Sequence, residues 1–220
     1  MSSWNPAAIG ANITLTNGNR TWTSSSGSNT AGLGTLGLVG GFGSSNSNFL
    51  AYFEASIVSV GAFSNSSIGI ANQNQNVLTD FLGSGIGSAV GMGLGPNGAV
   101  HYLNTSVGTL FTYTTGALIG VAIDFLHQKM WWTKDGTTWN NDVIGNQNPA
   151  TNTGGQSLSS GAPMSAAGPQ YFTVYPAFGN ANSGDSMTLN SLGPFSYTVP
   201  SGFRGWDALV ENSSNFFFAA

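Results

Sequence analysis

The sequence predicts an all-β fold, a sandwich or a barrel, and three observations carry that prediction. Helix signals are nearly absent. Short runs of β-branched and aromatic residues recur, each punctuated by Gly, Asn-Gly, Asp-Gly or Ser clusters. The length of 220 residues suits one large β domain that buries its core without staples. There are no cysteines, which rules out a disulfide framework and a thiolate metal site.

Residues 11–23 alternate through Ile13 and Leu15, meet Asn17-Gly18, and resume at Arg20-Thr21-Trp22. This is a hairpin signal, because Asn-Gly tolerates the positive φ angles of a tight turn. Residues 24–48 are rich in Gly, Ser and Asn, with a short apolar section from Leu36 to Val39. The next strand runs from Phe49 to Val60, with Phe53, Ala55 and Ile57 on one face and Tyr52, Glu54 and Ser56 on the other. Ser67 to Ala71 and Ala89 to Met92 mix apolar residues with glycine, as in strands crowded by another backbone. Leu118 to Phe125 is a buried-type run, with Ile119, Val121, Ile123 and Phe125 on one face. A turn at His127-Gln128-Lys129 leads into Met130 to Thr133, and Asp135-Gly136 ends the hairpin. Residues 137–170 read as one surface excursion, a length that implies function or compact packing. Strands resume at Tyr171 to Phe178 and Ser186 to Leu192. A last one, Phe195 to Val199, is closed by Pro200-Ser201-Gly202-Phe203.

Several of these pieces, in this order, resemble the SPRY domain. They are Tyr52-Phe53-Glu54-Ala55, Ser67 to Ala71, Ala89-Val90-Gly91, Thr115 to Asp124, Lys129 to Gly136, Tyr175-Pro176-Ala177 and Pro200 to Phe203. The resemblance implies a two-sheet antiparallel β-sandwich, the SPRY or concanavalin-A-like jelly roll. It spans residues 1–206 as one domain, with 137–170 as the excursion and 207–220 as a C-terminal tail. It also implies a non-catalytic module that binds partners through loops at one edge. Ala117 stands where the family usually has Asp, and Asp135 where it usually has Asn; both are turn positions. The Trp-rich hairpin and Gly/Asn-rich excursion resemble the SPRY modules of bacteriophage, prophage and bacterial proteins.

Composition excludes whole classes of partner. Charged residues make up 5% of the chain, and the four cations, Arg20, Lys129, Lys134 and Arg204, are scattered. Nucleic-acid affinity rests on Lys and Arg neutralising phosphates, so no nucleic-acid partner is expected. No segment reaches the ~18 apolar residues of a membrane span, so no membrane insertion is expected. The start, Met1-Ser2-Ser3-Trp4-Asn5-Pro6, lacks the basic stretch and apolar core of a signal peptide. Neutral Asn, Ser, Thr and Gly must therefore supply solubility, and the expected place is a virion surface, otherwise the bacterial cytoplasm.

No catalytic constellation, metal site or cofactor is expected. His101 and His127 are the only histidines, and no G-x-S-x-G elbow accompanies them. Glu54, Asp80, Asp124, Asp142 and Asp185 are far apart and no strand carries two acids, against the paired carboxylates of a glycosidase. Glu54 and Asp124 read instead as partners of turn amides. Gly32 to Gly37 matches G-x-G-x-x-G without the strand and helix that motif requires. Asp135 to Asp142 gathers oxygen ligands at a spacing that fits no calcium loop, so it reads as a solvated turn.

Aromatic residues carry the remaining information. Trp131 and Trp132, adjacent on a strand, point to opposite faces. One belongs to the core, and the other lies under a loop, in an interface or in a ligand site. Candidate ligand or partner residues are His101, Tyr102, Asn104, Trp131 and Trp139. Phe216, Phe217 and Phe218 would be an aggregation liability in the open, so they are expected to dock, in the same chain or a neighbouring copy. The leading functional expectation is a bacteriophage or prophage surface component (fibre, tail tip or capsid decoration), with other virion proteins or itself as partner in a homo-oligomer, and a host-surface glycan or protein as ligand. A carbohydrate-binding module and an intracellular bacterial adaptor are the alternatives.

Overall fold

The computed structural model describes residues 2–39, 49–61, 66–84, 91–141, 146–158 and 173–214, with side chains through Val210. The chain opens with β1 (Trp4–Ile9), β2 (Ile13–Thr16), β3 (Thr21–Ser24), β4 (Thr30–Gly34) and β5 (Leu38–Val39). The long β6 (Leu50–Ser59) follows, then β7 (Ile68–Asn72), β8 (Gly91–Leu94), β9 (Ala99–Tyr102) and β10 (Thr105–Thr109). A hairpin of β11 (Leu118–Asp124) and β12 (Lys129–Thr133) leads to β13 (Gln156–Ser157), β14 (Thr173–Asn180) and β15 (Ser186–Asn190). The last elements are β16 (Arg204–Gly205) and one helix, α1 (Trp206–Ser214).

Two sheets stack face to face. One has the order β1-β4-β14-β7-β8-β9-β10, with β5 continuing the line of β4 along β14. The other has the order β13-β12-β11-β6-β15-β3-β2, with β16 pairing β6 at Ala51 and Tyr52, beyond the end of β15. All pairings are antiparallel except that last short one. This is the expected two-sheet antiparallel sandwich.

The core lies between the sheets. Trp22 stacks on Phe178 across it at 4.3 Å, and Trp4 meets the same ring edge-on at 4.9 Å. Trp132 reaches over from β12 and donates its indole N–H to the Ile68 carbonyl on β7 (3.1 Å). A buried indole that finds an acceptor keeps its apolar payload without a polar penalty. Alternation places Val121 and Ile123 in this core and Ala122 on the outer face. Each outer face carries a smaller cluster under a loop. Tyr52, Ala122, Trp131, Trp139 and Phe203 form one, and Leu33, Ala71, Leu82 and Ala177 the other.

The Asn17-Gly18 hairpin forms with a longer turn than its dipeptide suggests. Thr16 pairs Thr21, and Asn17, Gly18 and Asn19 all take positive φ. The strand expected at 195–199 is absent. The amides of Ser196 and Tyr197 donate to the buried Glu54 carboxylate (3.0 and 2.8 Å), so they are spent on a side chain and no ladder forms. The first residues assigned to the tail, from Asp207, are helical: α1 begins at Trp206, which enters the main core together with Leu209, and the Asp207 carboxylate takes the Ser2 amide at 2.5 Å. Phe216 to Phe218, Asp142 and residues 159–170 of the excursion lie outside the described residues.

The topology gives the sandwich two unlike edges. Connections 40–49, 73–90 and 158–172 join strand ends at one edge, together with the β11–β12 and β9–β10 turns. Shorter connections, 25–29, 60–67, 95–98 and 181–185, close the other. There Asp185 gathers the Gly61 amide (2.8 Å), the Asn182 amide (3.0 Å) and the Ser66 hydroxyl.

Candidate functional site

The long-loop edge holds a cleft of about 400 Å³ between the β11–β12 turn and the turn at 149–152. Leu50, Leu126 and Pro149 give it apolar walls; Asp124, His127, Thr151 and Asn152 are its polar members. The local sequence explains the geometry. β11 ends at Asp124, whose carboxylate accepts the His127 amide (2.9 Å) and so caps the turn. The other carboxylate oxygen lies 2.7 Å from His127 Nδ1. That contact fixes the imidazole plane and leaves Nε2 turned away from the acid. Asp124 is 3% exposed, whereas half of the His127 side chain (51%) is open to solvent. Leu126, also in the turn, is exposed. Lys129 donates to the Asn152 carbonyl (3.0 Å), joining the two turns that flank the cleft.

The excursion that supplies the second wall is compact where it is described. Asn148 caps a single 3-10 turn, Pro149–Thr151, by accepting from the Ala150 amide. Asn140 accepts the Trp132 amide (2.9 Å) and donates to Gln147, which in turn takes the Gly155 amide (2.8 Å). Trp131 is roofed by this unit and donates its indole N–H to the Thr153 carbonyl (3.0 Å).

The residues expected to bind are thereby sorted. Trp131 and Trp139 come together, but in a packed cluster on one outer face, fully and almost fully buried. Tyr102 is a core residue whose hydroxyl donates to the Leu158 carbonyl (2.8 Å), and burial pushes its phenol up to about 12. None of these three rings has a face open to a sugar. His101 is half-buried on the opposite sheet, edge-on to Phe81 at 5.4 Å, and its burial pushes the imidazole below its ordinary value. Asn104 is exposed in the β9–β10 turn at φ 58°. The Asp124–His127 pair was legible only as Asp-x-x-His across a turn, a spacing that also fits an ordinary cap.

Glu54 and Asp124 both face outward from the same sheet, in register with Gly120 and Leu50. Four residues of strand separate them, roughly 13 Å, beyond the roughly 5–9.5 Å of paired glycosidase carboxylates. Glu54 is also saturated by two amides and the Tyr52 hydroxyl (3.0 Å). Asp135 Oδ1 accepts the amides of Thr137 (2.8 Å) and Thr138 (2.6 Å), so its turn is organised by the protein's own donors. A smaller hollow of about 290 Å³ at the other edge is lined by Val60, Pro96, Asn97 and Tyr113. The Tyr113 phenol, held far up by burial and then by Asp185, donates to the carbonyls of Ser66 and Leu94.

No family model matches the sequence, and no curated protein matches it. Solved structures do match the fold. The SPRY domain of human HERC1 is 15% identical with a TM-score of 0.55, over 86% of this chain and 97% of that one. The PSpry domain of TRIM65 is 12% identical with a TM-score of 0.51, over 86% and 90%. Stonustoxin is 15% identical with a TM-score of 0.52, over 86% of this chain and 26% of its own. The sandwich described above is the SPRY fold.

Proposed function

We propose that this chain, an all-β sandwich with the SPRY fold, is a non-catalytic protein-binding module that engages its partner at the long-loop edge. The observation that carries this reading is the cleft at Leu50, Leu126, His127 and Pro149, an open hollow with apolar walls and an oriented imidazole. His101 and Asn104, on the β9–β10 hairpin and its turn at the same edge, are proposed as further rim residues. With Tyr102, Trp131 and Trp139 enclosed, these candidate rings offer a sugar no open face, which favours a protein partner over a glycan. Capture of a partner by the immobilised chain tests the site. Leu126→Asp should weaken capture by about tenfold or more, while Val58→Asp, on an exposed strand face, should leave it unchanged. Equal effects of the two would remove the cleft from the reading.

The biological setting proposed is the surface of a bacteriophage or prophage particle, with other virion proteins or a second copy of the chain as partner. A chain with 5% charged residues, whose polar groups are mostly neutral amides and hydroxyls, supports it. Among the described residues no helix is long and apolar enough to cross a membrane. Phe216 to Phe218 are proposed to dock, in cis or in trans. Deleting residues 215–220 and measuring the mass in solution checks this: a fall in oligomer size supports docking in trans, and an unchanged mass with a lower melting temperature supports docking in cis. Particles purified through density gradients and high salt should retain the chain; its loss in the first wash would end the virion reading.

A further inference from the structure

We propose that the cleft between the β11–β12 turn and the 149–152 turn recognises an acidic segment of a protein partner, one carboxylate beside an apolar side chain, with His127 Nε2 and Lys129 as its cationic contacts. The inference rests on the protein-binding reading above and names the chemistry that edge selects.

Charge complementarity carries it. The one acid in the cleft, Asp124, is 3% exposed and is occupied by the His127 amide and Nδ1. Its charge is thus turned inward, onto the back of the ring. The groups that reach solvent are of the other sign or neutral. His127 presents Nε2 from the turn, and Lys129 stands at the start of β12 with its ammonium on Asn152, a lining residue. Arg204, exposed on β16, pairs in register with Ala51, next to Leu50 of the wall. The 149–152 turn contributes Pro, Ala, Thr and Asn and no ionisable group. The described part of the 73–90 connection carries one acid, Asp80, which accepts the Thr79 hydroxyl (3.1 Å) and is not among the residues lining the cleft. In a chain with eight acids and four cations, a cleft whose open charges are cationic runs against the overall balance. The apolar walls of Leu50, Leu126 and Pro149 supply the desolvated setting in which a single charge-assisted hydrogen bond gains strength.

The chemistry selects a protonation state of the ring. With Nδ1–H donated to Asp124, a neutral imidazole offers only a lone pair at Nε2, which repels a carboxylate oxygen. A protonated ring offers Nε2–H, which a carboxylate accepts. The acidic segment therefore favours the protonated ring over the neutral one.

The chain's two histidines make the test direct: His127 lines the cleft, whereas His101, proposed above as a rim residue for a larger partner, sits on the other sheet outside that lining and serves as the control for a short peptide. The probes are acetyl-Leu-Glu-Leu-amide, its Gln counterpart, and sodium acetate, each titrated into the intact chain while the imidazole NMR signals are followed. At about pH 5.5 the Glu peptide should shift the His127 signals and leave those of His101 in place. The Gln peptide and acetate should act several-fold more weakly. Lys129→Ala should weaken binding several-fold with the His127–Asp124 contact intact. Equal shifts from the Glu and Gln peptides, movement of both histidines, or no shift at millimolar peptide would overturn the proposal. If it fails while capture stays sensitive to Leu126→Asp, the module reading survives and only the partner's charge is wrong. If the peptide binds but capture ignores Leu126→Asp, the reverse holds.

Discussion

At the scale of single residues, buried carboxylates do the organising that a longer ladder would do elsewhere. Glu54 holds segment 195–197 against the second sheet through two amides and orients Tyr52, whose phenol is pushed far up by burial and then by Glu54. Glu54→Gln turns an amide N–H₂ toward donors, so at least one buried donor loses its acceptor. A loss of about 2–3 kcal/mol in urea unfolding is expected. Asp135 is different in kind, being exposed. Burial raises its carboxyl, but the amides of Thr138 and Thr137 and the hydroxyls of Thr138 and Thr133 more than offset that, leaving it well below the ordinary 3.8. A depressed folded value contributes stability that is complete above 3.8 and fades as pH falls through the lower one. Melting temperature measured between about pH 5 and pH 2 should therefore fall more steeply in the wild type than in Asp135→Asn. The sequence already pointed to turn amides as partners for Glu54. It could not show that these amides come from the segment read as a last strand, because a side chain competing for backbone donors leaves no periodicity behind.

At the scale of elements, glycine separates what was legible from what was not. The long hairpin of β11 and β12 and the strand β6 declared themselves by strict alternation, and they form as read. β4 did not, because Thr30-Ala31-Gly32-Leu33-Gly34 looks like a loop. Yet the space a Gly32 side chain would need is filled by the Phe178 ring, so this glycine serves a strand packed against an aromatic. β9 and β10 were missed for another reason: their turn uses Leu103 and Asn104, both at positive φ, without a glycine to announce it. The helix α1 did carry a signal, Trp206, Leu209 and Val210 at helical spacing, hidden behind the turn residues that precede it. On β7, Gly69 faces the Met92 carbonyl and the Gly93 backbone of β8, leaving no room for a methyl group. Gly69→Ala should force those strands apart and cost about 1–3 kcal/mol, read as a lower urea midpoint at unchanged slope.

At the scale of the whole molecule, a chain with 5% charged residues is expected to owe little of its stability to charge. The buried Asp124 carboxylate meets His127, and the buried carboxylates of Glu54 and Asp185 are satisfied by neutral donors. Raising sodium chloride from roughly 0.02 to 0.5 M, which shortens the screening length several-fold, should move the melting temperature by no more than a degree or two. A larger shift would mean that long-range electrostatics matters more than this composition allows. The low charge also gives the fold a built-in compass. Its two lysines bracket one strand, Lys129 opening β12 and Lys134 following its last residue, so the amines mark opposite edges of the sandwich roughly 17 Å apart. A short amine-reactive cross-linker thus has two lysine addresses on the sandwich, and the one it joins to a bound neighbour reports which edge that neighbour stands on.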